Sequence, residues 1–376
     1  MKKSYLMTPG PTPVPEDIRN EMAKPIIHHR TKEYQAIFKD VTDGLKKIFK
    51  TSSDVFTFTS SGTGAMEASI VNVLSPGDKI IVVRGGKFGE RFADIAKAYG
   101  VESINLDVAW GSAPCPADIE DLLRKNPSVK GVYTTLCETS TATVYDIKAI
   151  GEVVRKTAAI YVVDVISGLG ADDFRNDEWG VDIAICGSQK GLMIPPGLAF
   201  CSVSEKAWKA VDSSKLPKFY FNFKKYKKSM LDTDTPFTSA ITLVIGLKKA
   251  LEAINNKGVD NVIAEHARQA EAFRQAMKAL GMSIFSKSPS NAVTGVNSPS
   301  GIDADAIIKT CKTELGVTFA GGQEALKGKI FRAAHMGGID KEHTIESVKA
   351  LETALAKLGY KFAAGSGVAV ASKLLG

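Results

Sequence analysis

Few cysteines and no long hydrophobic run occur in this sequence, and both absences limit what the protein can be. No cysteine is part of a CxxC pair, so we expect neither a zinc site nor a redox pair. An odd number of cysteines without regular spacing is typical of reduced thiols, which predicts a cytoplasmic, metal-free protein. Apolar stretches such as 159–165 are too short to span a bilayer, and prolines interrupt the N-terminus as they would not in a signal peptide. The five cysteines are Cys115, Cys137, Cys186, Cys201 and Cys311.

Composition and charge are those of an ordinary globular protein. Hydrophobic residues make up 44% of the chain, charged residues make up 24%, and the formal net charge is +7. A length of 376 residues corresponds to two domains, or to one large and one small domain. The basic aromatic segment 219–228 (FYFNFKKYKK) has the composition of a single-stranded nucleic-acid contact. One short cluster is weak evidence, however, and we expect neither a nucleic-acid partner nor a membrane partner.

Strand-like and helix-like segments alternate through the first half of the chain. This pattern predicts an α/β fold with a mostly parallel sheet. The predicted strands are 55–59, 79–84, 101–106, 129–135, 159–165 and 183–186. The predicted helices between them are 64–74, 88–99, 116–124 and 147–156.

The pattern changes near residue 250, where a smaller α+β unit is predicted. We divide the chain into an N-terminal arm (1–17), a large domain (18–255) and a small domain (256–376). The tail, AAGSGVAVASKLLG, is rich in small residues, and we expect it to be loosely held. The predicted elements of this part are helices at 241–254, 259–280 (ended by Gly281), 304–315 and 341–358, and strands at 282–285, 292–296 and 329–333.

Three groups of residues at predicted strand ends indicate chemistry. Segment 60–64 (SSGTG) joins a strand to a helix, and a glycine-rich helix start suits a phosphate. Asp164 lies at the end of strand 159–165, and Lys190 lies in a Gly/Ser loop after strand 183–186. Singly, a turn, a helix cap and a solvated lysine explain these features at least as well. Because ligands bind beyond the carboxyl ends of parallel strands, the three together predict a site for a phosphorylated pyridinium aldehyde.

The same residues carry a resemblance to a known family. Eight stretches in order are TPGPTPVP, SSGTGAMEASIVNVLSPGDK, GGKFGER, ETSTATVYDI, VVDVISGLGA, DIAICGSQKGLMIPPGLAF, TPFTSA and FRAAHMG. They resemble the class V aminotransferases of fold type I, near the alanine–glyoxylate and serine–pyruvate or serine–glyoxylate aminotransferases. The resemblance covers most of the chain. It implies a pyridoxal 5'-phosphate (PLP) enzyme with a mostly parallel, seven-stranded sheet flanked by helices, a smaller C-terminal domain, and a homodimer with shared active sites.

Roles for individual residues follow from this resemblance. Lys190 would form a Schiff base with the cofactor, and Asp164 would pair with the pyridinium nitrogen. Arg332, in FRAAHMG, would bind the substrate carboxylate through a bidentate fork. Further cofactor-binding residues would be Ser61, Gly62, Thr63, Phe88, Gln189, Thr139 or its neighbour Ser140, and, toward the partner subunit, Thr235 or Thr238. Further substrate-binding residues would be Gly10 and His28.

Simpler explanations exist for several of these residues. Phe88, where some relatives have tryptophan, is also compatible with a core position, and a surface ion pair is the less favoured alternative for Arg332. His28 and His29 are as compatible with a structural pair as with a substrate contact. Cys311 falls on the inner face of a predicted helix, so we expect it in the core.

The predicted function is transfer of an amino group from a small amino acid, alanine or serine, to glyoxylate or pyruvate. No distal cation for a second carboxylate is evident, which favours these small donors. Aspartate with 2-oxoglutarate is an alternative if Arg30 or a residue of the partner chain supplies that cation. A lyase such as a cysteine desulfurase is another alternative, disfavoured because Cys311 lies in a helix and not in a mobile loop. A non-catalytic subunit of a larger complex is disfavoured by the intact pair of Lys190 and Asp164. Nucleotide or nucleic-acid binding would rest on segments 60–64 and 219–228 alone.

Overall fold

A central sheet with helices on both faces dominates the computed structural model, which describes residues 4–376. The strands, in chain order, are β1 (Tyr5–Leu6), β2 (Asp54–Ser60), β3 (Lys79–Arg84), β4 (Glu102–Asp107), β5 (Gly131–Thr135), β6 (Cys137–Glu138), β7 (Thr143–Val144), β8 (Ile160–Asp164), β9 (Ile183–Gly187), β10 (Gly197–Val203), β11 (Val293–Asn297), β12 (Val317–Thr318), β13 (Ala320–Gly321) and β14 (Ile330–Ala334).

Helices follow most of these strands. No helix within residues 4–376 is both long and apolar enough to cross a membrane. In chain order, the α-helices are α1 (Glu16–Met22), α2 (Lys32–Phe49), α3 (Gly62–Val71), α4 (Lys87–Ala98), α5 (Pro116–Lys125), α6 (Ile147–Val154), α7 (Glu205–Ser213), α8 (Phe223–Met230), α9 (Ile241–Lys257), α10 (Val259–Ala279), α11 (Ala304–Leu315), α12 (Lys341–Lys357) and α13 (Ser366–Leu375).

The central sheet has seven strands in the order β2-β10-β9-β8-β5-β3-β4. Strands β4, β3, β5, β8 and β9 run parallel, and β10 is antiparallel to both of its neighbours. Strands β8 and β9 are buried along their whole length, which explains their largely apolar sequences. The parallel strands therefore place their carboxyl ends at one edge of the sheet, where ligands of such sheets bind.

Both faces of the sheet bury apolar side chains from the helices. On one face, α2, α6 and α9 contribute Phe38, Ile150 and Leu247 to a single cluster. On the other face, α3 and α4 contribute Met66 and Phe92. The layered arrangement thus fixes the helices that begin at the carboxyl edge of the sheet.

A smaller sheet, β11-β14-β13, is antiparallel and packs with α10, α11 and α12. Strand β1 of the N-terminal arm pairs in parallel with β12, so the arm attaches to this smaller unit. Cys311 is fully buried in α11, as expected. The predicted helices 241–254, 259–280, 304–315 and 341–358 are confirmed as α9 to α12, and Gly281 follows α10 with a φ of 78°.

Most predicted strands are confirmed within two residues, but two differences have physical causes. Strand β10 is missing from the prediction because its apolar run follows directly on the Pro195–Pro196 turn. The predicted strand 282–285 is wrong, since the structure has only one isolated bridge there, between Ile284 and Val296. A short extended segment with a single bridge has too few ladder hydrogen bonds to form a strand.

The C-terminal tail is an ordered helix, so the expectation that it is loosely held is wrong. Helix α13 packs against α10 and α12, and Ala371 is fully buried. Small residues permit this close approach, because a Cβ added to Gly367 would lie 3.0 Å from the Cγ atom of Leu280. The composition that suggested mobility in fact serves helix packing.

Candidate active site

The carboxyl ends of the parallel strands border a cavity of about 250 Å³. Most of the predicted site residues line it, whereas Arg332, His28, Thr235 and Thr238 are not among its lining residues. The complete lining is Gly10, Pro11, Ser61, Gly62, Thr63, Phe88, Arg91, Thr139, Asp164, Ile166, Ser167, Gln189, Lys190 and Pro196.

Lys190 lies in the loop between β9 and β10, and Ser188 anchors that loop. The Ser188 hydroxyl donates to the carbonyl of Pro195 at 2.7 Å and accepts from the Leu198 N–H at 3.2 Å. The Lys190 carbonyl accepts from the Met193 N–H at 3.1 Å. The loop is therefore held at both ends by strand residues, which makes its lysine a fixed part of the cavity wall.

The side chain of Lys190 is only 8% exposed. Burial lowers the pKa of Lys190 to about 8. The amine donates to the carbonyl of Pro9, and a Cβ added to Gly10 would lie 2.6 Å from the lysine Nζ atom. Only a glycine leaves room for the lysine here. A buried amine of lowered pKa is the form that can act as a nucleophile near neutral pH.

Asp164 is the last residue of β8, and its side chain is 4% exposed. One carboxylate oxygen accepts from the Ile166 N–H at 2.7 Å. Burial raises the pKa of Asp164 to about 7, with the nearby negative charge of Glu138 acting in the same direction and Lys190 opposing it. A cationic partner in the cavity would favour the ionised carboxylate.

The start of α3 forms an anion-binding end of the cavity. Ser61 is the N-cap residue and makes no side-chain capping bond, so the first N–H groups of the helix depend on other partners. The neighbouring Gln189 also lines the cavity. A Cβ added to Gly62 would lie 2.5 Å from the Cδ1 atom of Ile166, so only glycine fits. This arrangement suits a phosphate.

Helix α4 contributes Phe88 and, one turn later, Arg91. The Arg91 guanidinium lies over the Phe88 ring at 4.9 Å and donates to the Thr63 hydroxyl at 3.2 Å. No carboxylate within residues 4–376 forms an ion pair with Arg91, which leaves a cation facing the cavity. Arg91 is not among the residues predicted from the sequence, although its spacing from Phe88 in GGKFGER places both on one helical face.

Glu138 is a second unpredicted residue and holds the start of α4. Its fully buried carboxylate accepts from the N–H groups of Phe88 at 3.1 Å and Gly89 at 3.0 Å, and from the Ser140 hydroxyl at 2.5 Å. Burial raises the pKa of Glu138. Because a helix start carries positive partial charge, the carboxylate fixes the helix that presents Phe88.

Thr139 and Ser140 point to different places. The Thr139 hydroxyl lines the cavity and lies 2.5 Å from the Ser167 hydroxyl. The Ser140 hydroxyl instead donates to Glu138 and accepts from the Lys87 N–H at 3.1 Å. Of the two alternatives, the geometry therefore favours Thr139 as the hydroxyl that faces a ligand.

Arg332 lies on β14, next to the cavity-lining Thr139, and is 6% exposed. It donates through Nε and Nη2 to the carbonyl of Gly321, at 3.0 and 2.8 Å, and through Nη1 to the carbonyl of Thr139 at 2.8 Å. A guanidinium has five N–H groups, so one remains on each terminal nitrogen. Burial lowers the pKa of Arg332 to about 10. Two parallel N–H groups match a carboxylate.

Three predicted site residues lie away from the cavity, at or just below the surface of the single chain. They are His28, Thr235 and Thr238. His28 and Thr238 are exposed, and the His28 ring contacts the His29 ring at 4.8 Å. Thr235 is buried, and its hydroxyl donates to the Phe237 carbonyl at 2.7 Å. Within one chain, none of the three therefore lines the cavity of Lys190.

The cavity has the donors and acceptors that a phosphorylated pyridinium aldehyde requires. An uncapped helix start, a buried carboxylate and the lysine amine all border this one cavity. Glycines at positions 10 and 62 keep the space open. The residues present thus fit PLP.

Comparisons with known proteins agree with this fit. The family model "Aminotransferase class-V" matches residues 5–339. A protein of Synechococcus sp. named as a soluble hydrogenase small subunit is 42% identical, over 99% of this chain and 98% of its own. L-aspartate–glyoxylate aminotransferase of Paracoccus denitrificans is 36% identical, over 98% and 95%. Serine–glyoxylate aminotransferase of Methylorubrum extorquens is 34% identical, over 99% and 96%.

A solved structure shows the same fold over the whole chain. Ureidoglycine–glyoxylate aminotransferase of Bacillus subtilis superposes with a TM-score of 0.94 at 26% identity, covering 100% of this chain and 98% of that one. The fold-type-I prediction is confirmed by this likeness together with the seven-stranded sheet. The chain belongs to the class V aminotransferases and is a PLP-dependent transaminase.

Proposed function

We propose that this transaminase moves an amino group from alanine or serine to glyoxylate or pyruvate, with Lys190, Asp164 and Arg332 as its principal residues. The observation that carries the proposal is the cavity itself, in which a buried lysine and a buried carboxylate face the same small space. A cavity of about 250 Å³ favours small substrates once the cofactor occupies part of it. The related glyoxylate aminotransferases support glyoxylate as the acceptor.

The proposed roles follow from the positions of the groups. When bound, PLP supplies an electron sink on its ring. Lys190 would attach the cofactor and carry a proton at Nζ, since its lowered pKa leaves a large neutral fraction near pH 8. Asp164 would hold a proton at the ring nitrogen, and Gln189 with the α3 start would bind the phosphate. Thr139 would face the ring hydroxyl, and Phe88 would form the wall beside the ring.

Substrate orientation is assigned to Arg332 and Gly10. The two remaining N–H groups of Arg332 would bind the α-carboxylate that every amino acid donor and every 2-oxo acid acceptor carries. Because the other three N–H groups are bonded to backbone carbonyls, the guanidinium is already fixed before substrate arrives. Gly10 lines the cavity beside the lysine and leaves space for the substrate.

We also propose a homodimer that shares its active sites. Three exposed hydrophobic residues, Ile26 (69%), Phe219 (71%) and Leu231 (83%), lie in neighbouring segments of one surface. Arg30 pairs with Asp234, and the Phe219 ring contacts the Phe237 ring at 5.8 Å, which shows that these segments are contiguous. Such a patch is typical of an interface. His28, Thr235 and Thr238 lie in it and would reach the partner's site.

A cytoplasmic location is proposed on the state of the cysteines. All five are free thiols, and four of them are buried. Reduced thiols persist in the cytoplasm.

Aspartate as donor is a second candidate, because the structure supplies the distal cation that the sequence does not reveal. Arg91 faces the cavity without an acidic partner in residues 4–376, and a second carboxylate would satisfy it. Arg30, the cation suggested by the sequence, is paired with Asp234 instead. One relative is an L-aspartate–glyoxylate aminotransferase, which supports this candidate.

A donor and acceptor panel separates the two candidates. Purified enzyme is assayed with alanine, serine and aspartate against glyoxylate, pyruvate and 2-oxoglutarate. If the first candidate is right, kcat/KM is highest for alanine or serine, and the ratio of kcat/KM between donors is the same in Arg91→Gln as in wild type. If the second candidate is right, kcat/KM is highest for aspartate, and this preference over alanine and serine falls by at least about tenfold in Arg91→Gln. Arg84→Gln, which removes an arginine paired with Asp107 outside the cavity, is the matched control. No transamination of any pair would refute both.

A further inference from the structure

The N-terminal arm connects the two sheets at defined hydrogen bonds. Met7 donates its N–H to the Thr318 carbonyl at 2.9 Å and accepts from the Ala334 N–H at 2.8 Å. Ala334 is the last residue of β14, the strand that carries Arg332. From Tyr5 to Met7, the arm is therefore bonded to the smaller C-terminal unit, and from there it crosses to the Lys190 loop.

Thr12 makes the contact on the far side of that crossing. Its side chain is 3% exposed. The Thr12 N–H donates to the Gln189 carbonyl at 3.1 Å, and the Thr12 hydroxyl donates to the Lys190 carbonyl at 2.9 Å. These two carbonyls belong to the peptide groups on either side of the Lys190 Cα atom. Holding both peptide planes fixes the backbone torsions of Lys190 and hence the direction in which its side chain leaves the chain.

The turn after β14 packs against the hydrogen bond between the Thr12 hydroxyl and the Lys190 carbonyl. A Cβ added to Gly337 would lie 2.7 Å from the Lys190 carbonyl oxygen and 2.7 Å from the Thr12 hydroxyl oxygen. A Cβ added to Gly338 would lie 2.5 Å from the Pro13 carbonyl oxygen. The arm is thus enclosed between the lysine loop and the segment that follows Arg332, with no space for a side chain.

We propose that Thr12 is a positioning residue, which fixes the backbone of Lys190 and links it to the strand that carries Arg332. The proposal rests on the proposed function, in which Lys190 reacts with the cofactor and Arg332 binds the substrate. Thr12 itself is not among the residues that line the cavity. It acts on the lysine through the main chain, and loss of its hydroxyl leaves the Lys190 carbonyl with the Met193 N–H as its remaining partner.

Thr12→Val tests the proposal, since valine keeps the branched shape and the N–H but lacks the hydroxyl. We expect kcat to fall about tenfold, as for loss of one buried hydrogen bond in the reacting geometry, with KM within about twofold of wild type. In the cofactor-free protein, the pKa of Lys190, measured by pH-dependent competitive acetylation and peptide mapping, rises toward its ordinary value because the looser amine is better solvated. Thr12→Ser, which retains the hydroxyl, restores both quantities.

Controls separate positioning from folding. Thr8→Val removes another arm hydroxyl, which donates to the Pro11 carbonyl at 2.9 Å and not to the lysine loop, and leaves kcat and the Lys190 pKa unchanged. If Thr12→Val lowers Tm but changes neither kcat nor the Lys190 pKa, or if Thr12→Ser fails to restore them, the proposal is wrong. If Thr12→Val does not fold, Thr12→Ala is measured with the same expectations.

Failure of the underlying function gives a different result. Borohydride reduction of the wild-type holoenzyme, followed by peptide mapping, places the cofactor on Lys190 if the proposed function is right. A label on another lysine refutes the proposed function whatever the Thr12 variants show. A label on Lys190 together with wild-type behaviour of Thr12→Val refutes the positioning role alone.

Discussion

The Asp164 carboxyl gives a quantitative test of the electrostatics in the cavity, because the folded protein keeps its proton at pH values where the unfolded chain releases it. Burial raises the pKa of Asp164 from 3.8 to about 7. The folded state therefore binds this proton more tightly than the unfolded state does. The associated stability is fully present below the unfolded pKa, and it is lost as the pH rises through the folded pKa. The free energy of unfolding of the cofactor-free protein should therefore decrease between pH 4 and pH 8.

The size of the effect follows from the pKa difference. At about 1.4 kcal/mol per pKa unit, a rise from 3.8 to about 7 corresponds to a loss of about 4 kcal/mol, of which about 2.5 kcal/mol falls between pH 5 and pH 8. Asp164→Asn cannot ionise and still accepts from the Ile166 N–H. The free energy of unfolding of the variant, minus that of wild type, should thus increase by about 2.5 kcal/mol over this range.

The assay is urea denaturation of both cofactor-free proteins at pH 5, 6, 7 and 8. Burial raises the pKa of Asp172 to about 6, and this carboxyl contributes equally to both proteins, so it cancels in the difference. Asp172→Asn is the matched control, because it removes a pH-dependent component that ends near pH 6 and leaves that of Asp164. If the curves of wild type and Asp164→Asn run parallel from pH 5 to pH 8, Asp164 ionises like an ordinary carboxyl and the burial argument fails.

Two further predictions concern the proposed chemistry. Lys190→Ala should lose turnover and covalent cofactor attachment together, measured by the coupled transamination assay and by mass spectrometry of the reduced holoenzyme; retention of either activity would remove Lys190 from its proposed role. Arg332→Lys should raise KM for both donor and acceptor and lower kcat while the cofactor absorbance is unchanged, and Arg332→Ala should lose about 1.5–3 kcal/mol of transition-state stabilisation. Kinetics with an α-amino acid beside a primary amine that lacks the carboxylate check this, since an equal loss for both would mean that Arg332 acts through folding.

Residues in contiguous motifs could be predicted from the sequence, because their setting is local. Lys190 in its Gly/Ser loop, Asp164 at a strand end and the SSGTG helix start all need only the neighbouring residues to be recognised. The central strands could be predicted for the same reason, since fully buried parallel strands have continuous apolar sequences.

Residues whose role depends on distant contacts could not be predicted. Glu138 matters because it accepts from Phe88 and Gly89, about 50 residues earlier in the chain. Its own surroundings in sequence, between Cys137 and Thr139, do not indicate a helix start nearby. The C-terminal tail is a similar case, since small residues are compatible with mobility and with close helix packing, and only the partners α10 and α12 decide between them.

The path of the N-terminal arm has a consequence for the order of assembly during synthesis. Met7 is synthesised well before its hydrogen-bond partners, Thr318 and Ala334, which follow it in the chain by more than 300 residues. The large sheet can form from residues 54–203 well before those partners exist, because domains fold as their residues emerge. The arm therefore cannot form these hydrogen bonds until β14 has been made. A nascent chain that stops before β14 has the lysine loop, but its N-terminal arm is not yet fixed by β14. Reactivity toward the cofactor would then be acquired only after β14 has been made.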